Sequence, residues 1–475
     1  MNVNMLAIIP SRFHFLTKYI LSFSFFYSIN PVYAVYENNF VDDSSLTGNV
    51  FFWNRDRERK NIDLHKYEKN IRQSTFNSNL DFKSGYIADH FAIELGGYGA
   101  WEVSNGGNGH PNEIGFSGVH TCWDDDRKKD LEKDVSGLSF YKAQVNFKID
   151  ELFWTKAGYI QPSGQTLLAP HWSLLPGTYR GVEFGSLLDF DDAGALSMSY
   201  MWADKYKAPW YKRLYEFRQW GKGKKIDYLH SAGLKYDFKN DLVLETAFGQ
   251  AQNYMNQFFG KASYKTDIFN NPLTMSYQFY GAKDQSHKGK NVYDGLAWLQ
   301  AATLGYQMGP VGLRLEGVVV KAKGEQGYFL QRMTPDYASS NGRLDVWWNS
   351  RSDFNANGEK AIFTEVTYDL GDLSNYLTGW KAGTSYAYGW DAKPSTNKQF
   401  NQKKRLIESA YNFDLGYTVQ NGWIKDTSLQ LHYTKYNNHT NIPSWKGGYG
   451  NIFQDEHDIK FIVTVPFTIF NAKQK

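Results

Sequence analysis

Residues 91–103, FAIELGGYGAWEV, decide the fold. Phe91, Ile93, Leu95, Trp101 and Val103 fall on one face of an extended chain, and His90, Glu94, Tyr98 and Glu102 on the other. Successive side chains of a strand point to opposite faces, so the stretch predicts a strand with one greasy side and one wet side. The preceding segment repeats the pattern, setting Phe76, Leu80 and Phe82 between Asn77, Asn79, Asp81 and Lys83. Far downstream, Phe461, Val463, Val465, Phe467 and Ile469 alternate with Ile462, Thr464, Pro466 and Thr468. Segments of about ten residues with such alternation mark a transmembrane β-strand. Strands of soluble sandwiches are shorter, about 5–6 residues.

The connections extend the argument. Short turns are expected at 86–89, 150–151, 189–194, 239–241, 267–271, 309–311, 371–379 and 421–426. Between them lie long polar connections at 56–73, 104–136, 161–178, 205–227, 251–257, 284–297, 323–359, 391–406 and 437–456. Strict alternation of short and long connections predicts an all-β, integral outer-membrane antiparallel barrel of 18 strands, with short periplasmic turns and long outer loops. An open sheet edge in hydrocarbon would strand its amides, so the sheet must close. At this size the lumen is a water-filled channel.

Composition agrees. The 475 residues are 17% aromatic (15 Trp, 33 Tyr, 33 Phe) with 42 Gly and one Cys, yet the mean hydropathy is −0.55. Helical membrane proteins need runs of about 20 apolar residues, which are absent. One cysteine, Cys122, makes no internal disulfide. Residues 1–34 read as a secretory signal: Arg12 and Lys18, an apolar run over 19–29, then Val32 and Ala34 at the peptidase positions. Its removal takes two of the 52 Lys and Arg and none of the 49 Asp and Glu, leaving a net charge of +1. So balanced a chain lacks the clustered basic face of a nucleic-acid binder. Residues 35–475 are expected to form a single barrel domain.

Alternation also assigns the inward face. Trp53, Arg55, Glu94, Lys142, Gln144, Asn146, Glu245, Lys261, Arg314, Glu316, Glu365, Asn412 and His432 are among the expected lumen residues. Both signs of charge are plentiful. A one-sided field would select ions; this mixture suits a neutral or zwitterionic solute rich in hydrogen-bonding groups. The third long connection, 161–178, is too apolar for an exposed loop and is expected to fold into the barrel, with Gln165, His171 and Trp172 near the narrowest point. The seventh, 323–359, is the longest and holds Tyr328, Arg332, Arg343, Trp347 and Trp348. Flat aromatic faces match the apolar faces of sugar rings. The alternative for Trp347 and Trp348 is the interfacial aromatic girdle.

Other motifs are weak. Asp353, Asn355, Asn357 and Gly358 match the start of a calcium loop, but position 12 is Thr364 instead of an acid. Zinc-protease, nucleophile-elbow and phosphate-loop motifs are absent. No catalytic residue, metal ligand or cofactor is therefore expected.

Three stretches are familiar together: 158–181 around Ala169-Pro170-His171-Trp172, 326–361 with its Asp345-Val346-Trp347-Trp348, and 441–456 beginning NIPSWKGGYG. With the segment FVDDSSLTGNVFFWNRDRER at 40–59, they strongly resemble the outer-membrane porin D family, in particular its enterobacterial members. The resemblance implies an 18-stranded barrel, narrowed by the third loop, that takes up chitooligosaccharides. It also implies contact with outer-membrane lipid and lipopolysaccharide, insertion by the barrel-assembly machinery, and a monomer more than a trimer. Rival expectations are a porin of this family for basic amino acids or aromatic acids, and, from another class, a barrel enzyme or an adhesin using the seventh loop.

Overall fold

The computed structural model describes residues 39–107, 115–116, 136–169, 176–220, 223–285, 291–335, 338, 340, 342–343, 345–440 and 453–472. The expected signal segment, Cys122, His171 and Trp172 lie outside these residues.

A one-turn helix, α1 (Asn39–Asp42), leads into β1 (Ser45–Asn61), β2 (Lys66–Lys83), β3 (Phe91–Gly106), β4 (Gly137–Ile149), β5 (Phe153–Ile160), β6 (Thr178–Asp189) and β7 (Ala195–Lys207). A small hairpin follows, β8 (Tyr215–Arg218) and β9 (Lys225–Ile226). The wall resumes with β10 (Leu229–Asp237), β11 (Leu242–Ala251), β12 (Met255–Ile268), β13 (Asn271–Asp284), β14 (Ala297–Met308) and β15 (Val311–Lys321). It ends with β16 (Lys360–Asp369), β17 (Trp380–Ala392), β18 (Leu406–Thr418), β19 (Ser428–Asn438) and β20 (Glu456–Asn471).

Among the described residues these twenty strands hydrogen-bond antiparallel in one sheet. Strand β7 pairs directly with β10, from Ala195↔Asp237 to Ala203↔Leu229, so the β8–β9 hairpin stands outside the wall. Strand β20 pairs with β1, from Ser45↔Asn471 to Arg59↔Glu456, and closes the barrel at eighteen strands. Among the described residues the closed sheet leaves no open wall edge to meet lipid.

The face assignment of residues 91–103 stands. Phe91, Ile93, Leu95, Trp101 and Val103 are exposed on the outside, while Ala92, Tyr98 and Ala100 are buried inside. The expected short turns carry left-handed residues suited to them, among them Asp89, Asp150, Lys239, Asp241, Asn270, Gly309 and Asp426. Two expected long loops are corrected. The connection at 56–73 is only a turn at 62–65, because β1 and β2 stay paired, past a bulge at Arg57 and Glu58, as far as Asn61↔Lys66. The one at 251–257 shrinks to residues 252–254, with Asn253 at φ 52°. On the outer half of β1 and β2, charged partners such as Asp56 with Lys69 and Arg72 replace the greasy face. Polarity marks where lipid ends, and pairing does not have to stop there.

The packed core is inside the upper barrel. Leu167, Leu168, Tyr254, Tyr293, Phe329, Met333, Trp348 and Phe354 from the loops pack on Ala247, Ala301, Ala361, Ala387 and Ala410 of the inner wall. Small inward residues are the footprint of the loops. A Cβ on Gly233 would lie 1.8 Å from the Gln165 carbonyl oxygen, and one on Gly249 would meet Leu167 and Met333.

Candidate functional site

The third loop is fastened at its foot by a buried carboxylate. Glu183 of β6 accepts the backbone N–H groups of Ser163 (3.0 Å) and Gly164 (2.9 Å) and pairs with Lys156 of β5 at 3.0 Å. Lys156 Nζ also donates to the Gln161 carbonyl and the Ser163 hydroxyl, each at 2.7 Å. The loop then crosses the wall: Gln165 N donates to Ser199 Oγ at 2.5 Å and Leu167 N to Ser231 Oγ at 2.8 Å. An outer loop would leave these groups to water; here wall hydroxyls satisfy them one by one.

At Leu168 the third loop meets the seventh, which also enters the barrel. Leu168 and Gly342 form a β-bridge, and Arg343 N donates to the Leu167 carbonyl at 2.9 Å. From there the seventh loop runs as a belt along the inner wall. The Arg343 guanidinium binds Glu245 of β11 and Asp345, and lies 4.3 Å from the Phe259 ring centroid. Asp345 also takes Lys261 of β12 at 2.8 Å. Burial alone would push the Asp345 carboxyl up, but the charges of Arg343 and Lys261 outweigh it and hold the group below the usual range.

Further along, Arg314 of β15 pairs with Glu316 at 2.7 Å and donates to the Trp347 carbonyl at 3.2 Å. Trp348 donates its indole N–H to Glu316 and stacks on Phe363, centroids 5.2 Å apart. Asn349 accepts Lys460 of β20 at 2.9 Å, Ser350 accepts Asn412 of β18 at 2.7 Å, and Arg351 binds Glu456. The belt thus crosses the wall from β11 to β20. With the third loop on β6 to β11, two loops narrow the lumen from most of its circumference.

The structure sorts the expected site residues. Gln165, Arg314, Glu316, Arg343, Trp347 and Trp348 are brought together around the two loops. Trp347 exposes 43% of its surface, while Trp348 exposes 8% and serves as an anchor. Both sit on the inward belt and neither in the membrane girdle. Trp53 faces inward but exposes only 5%, and Arg55 is held bidentate by Asp458 of β20 at 3.0 and 2.5 Å. The backbone of Tyr328 bridges to Ala356 and the Arg332 carbonyl accepts Gln257 at 2.9 Å, while both residues are half-buried.

The calcium-like stretch is also structural. Asn355 donates to the Phe329 carbonyl at 2.6 Å and Asn357 accepts Ala322 N at 3.0 Å, with Gly358 at φ 77° making the turn. The anchors Glu183, Ser199, Ser231 and Asp345 were not singled out in the sequence. Their signal there is faint: two serines at inward positions, and two acids that nothing local sets apart from the other acids of the chain.

The sequence pattern of the family described as outer membrane porin, OprD family, matches residues 38–469. This chain belongs to the OprD family of outer-membrane porins. The porin is 56% identical over 441 residues to the chitoporin of Escherichia coli (strain K12), covering 91% of this chain and 93% of that protein. Among solved structures, Acinetobacter baumannii OccAB1 superposes with a TM-score of 0.71 at 17% identity, covering 92% of this chain and all of that one. Acinetobacter baumannii OccAB2 gives 0.69 at 20% identity over 91%, and Pseudomonas aeruginosa OccK3 (OpdO) 0.67 at 15% over 93%; each is covered completely. These likenesses show the 18-stranded fold. An OprD porin is a passage through the outer membrane and not an enzyme.

Proposed function

We propose that this porin carries chitooligosaccharides across the outer membrane by passive, substrate-preferring diffusion. The observation that supports it most is the pairing of charge along the narrowed lumen. Arg343 meets Glu245 and Asp345, Arg314 meets Glu316, Arg55 meets Asp458, and Lys142 meets Asp81 and Glu94 at 3.2 and 3.1 Å. Paired charges offer hydrogen bonds without a strong field of either sign. That is the lining a neutral sugar bearing hydroxyl and acetamido groups needs. The half-exposed Trp347 supplies a flat apolar face beside it, and the 56% identical relative is named a chitoporin.

In this reading Trp347, Arg314, Arg343 and Gln165 touch the sugar, together with His171 and Trp172 of the third loop. Residues 1–34 are a cleaved export signal. The barrel, inserted by the assembly machinery, works as a monomer among lipid and lipopolysaccharide. Reconstitution in planar bilayers tests the uptake reading. Chitohexaose is expected to interrupt the ionic current in resolvable blocks, and a glucose hexamer to do so far less. Equal, featureless passage of both would remove the substrate preference.

A further inference from the structure

Below the constriction, on the periplasmic side of the third loop, an alcove of about 400 Å³ opens in the wall of β3 to β5. Its place in the chain is clear: the foot of the third loop, Gln161 to Ser163, forms one end and Tyr86 of a periplasmic turn the other. This volume falls in the range of small-molecule sites, roughly 300–1,000 Å³. We propose that the alcove is an exit subsite that holds one N-acetylated sugar ring against Trp154 as the oligomer leaves the constriction. The proposal rests on the uptake reading above and adds a second place where the chain is held.

Trp154 is the aromatic element. Its indole lies over the bare backbone of Gly185: a Cβ there would stand 2.5 Å from Cζ2 and 2.8 Å from Nε1. Glycine at 185 therefore lets the ring lie against the inner wall. Lys156 Nζ, tied to Glu183 and to the foot of the third loop, stands over the ring 5.5 Å from its centroid. A flat ring fixed on a barrel wall is a stacking platform for the apolar face of a pyranose.

The amide partners come next. Gln144 donates to Asn146 at 2.8 Å, and Asn146 donates to Glu94 at 3.0 Å. Both amides are more than nine-tenths buried and line the alcove. Such a chain fixes amide orientation and presents donors and acceptors of the kind an acetamido group shares. The nearby charges are compensated, Lys142 by Glu94 and Asp81, and Lys156 by Glu183. An anion or cation gains no field here, whereas a neutral amide-bearing ring gains both stacking and hydrogen bonds.

The test is side-resolved blocking by the intact porin in planar bilayers. Chitohexaose is added first to the outer side and then to the periplasmic side. In Trp154→Ala the periplasmic-side blocking constant is expected to weaken about two- to tenfold, with outer-side blocking unchanged. Gly185→Val, which pushes the ring from its seat, is expected to act in the same direction, and Trp154→Phe to restore most of the effect. Each variant is first checked for the heat-modifiable gel mobility of a closed barrel. If the wild type is blocked from neither side, the uptake reading fails. If it is blocked from both sides and neither Trp154→Ala nor Gly185→Val changes the periplasmic constant, the subsite alone is overturned. Equal sensitivity of a glucose hexamer to Trp154→Ala would overturn the amide part of the assignment.

Discussion

Arg343→Gln isolates the charge at the junction of the two loops. Arg343 is 18% exposed, sits between Glu245 and Asp345, and its backbone joins the third loop through the Leu167 carbonyl. Glutamine keeps a hydrogen-bonding amide and removes one positive charge. Asp345 retains Lys261, so the uncompensated group is Glu245. An ion passing about 6 Å away in water feels a change of about 0.7 kcal/mol. At 0.1 M salt, with a Debye length of about 10 Å, roughly 0.4 kcal/mol survives. The change has opposite signs for cation and anion, so their permeability ratio rises about fourfold. At 1 M salt, with a Debye length of about 3 Å, the factor falls to about 1.4. The assay is the reversal potential of the reconstituted porin under a salt gradient, at low and high mean concentration. Lys239→Gln is the control; Lys239 pairs with Asp189 at a periplasmic turn at 2.6 Å, far from the constriction. An unchanged potential at low salt would refute the placement of Arg343 on the ion path. So would a shift that does not shrink at high salt.

Three further outcomes follow from the same geometry. Trp347→Ala is expected to weaken chitohexaose block about two- to tenfold, from roughly 0.5–1.5 kcal/mol of stacking; a larger effect on open conductance than on block would make Trp347 a spacer. Gly233→Val places side-chain atoms against the Gln165 carbonyl and must lift the third loop. A wider conductance in a still-closed barrel is expected, and an unaltered conductance would show that the loop does not rest there. Burial, then the neighbouring Glu408 charge, pushes the Glu359 carboxyl well above the usual range. With a raised value in the docked loop, docking is fully favoured at acid pH and weakens as pH climbs from the ordinary carboxylate range through the raised value. Current noise from the seventh loop should grow over that window in the wild type and grow less in Glu359→Gln; equal growth in both would refute the role of Glu359.

Alternation along the chain was sufficient for the barrel, its outward face and the even strand number. The reason is local: each strand residue must choose between lipid and water, and the choice is written at period two in Phe91 to Val103. Turn chemistry located the periplasmic connections for the same reason, since a left-handed turn selects Asp, Asn or Gly at the site itself. The apolar third loop was readable too, because such a segment has no stable place in bulk water. The strands of the first hairpin were harder, as their polar outer halves look like loop while still pairing.

The path of the seventh loop belongs to the tertiary structure. In the sequence Trp347 and Trp348 are equivalent neighbours; only the wall makes one an anchor on Glu316 and Phe363 and leaves the other half-exposed. Likewise Arg343 and Glu245 are 98 positions apart, and nothing local couples them. The meeting of third and seventh loops at Leu168 and Gly342, the alanines beneath them and the seat of Trp154 on Gly185 are all contacts between distant segments. A sequence records each residue's preference for lipid, water or a turn, because those are solvents and conformations the residue meets alone. Which charge neutralises which, and therefore what kind of solute the lumen accepts, is decided only when the closed barrel brings the two loops and the wall within hydrogen-bonding distance.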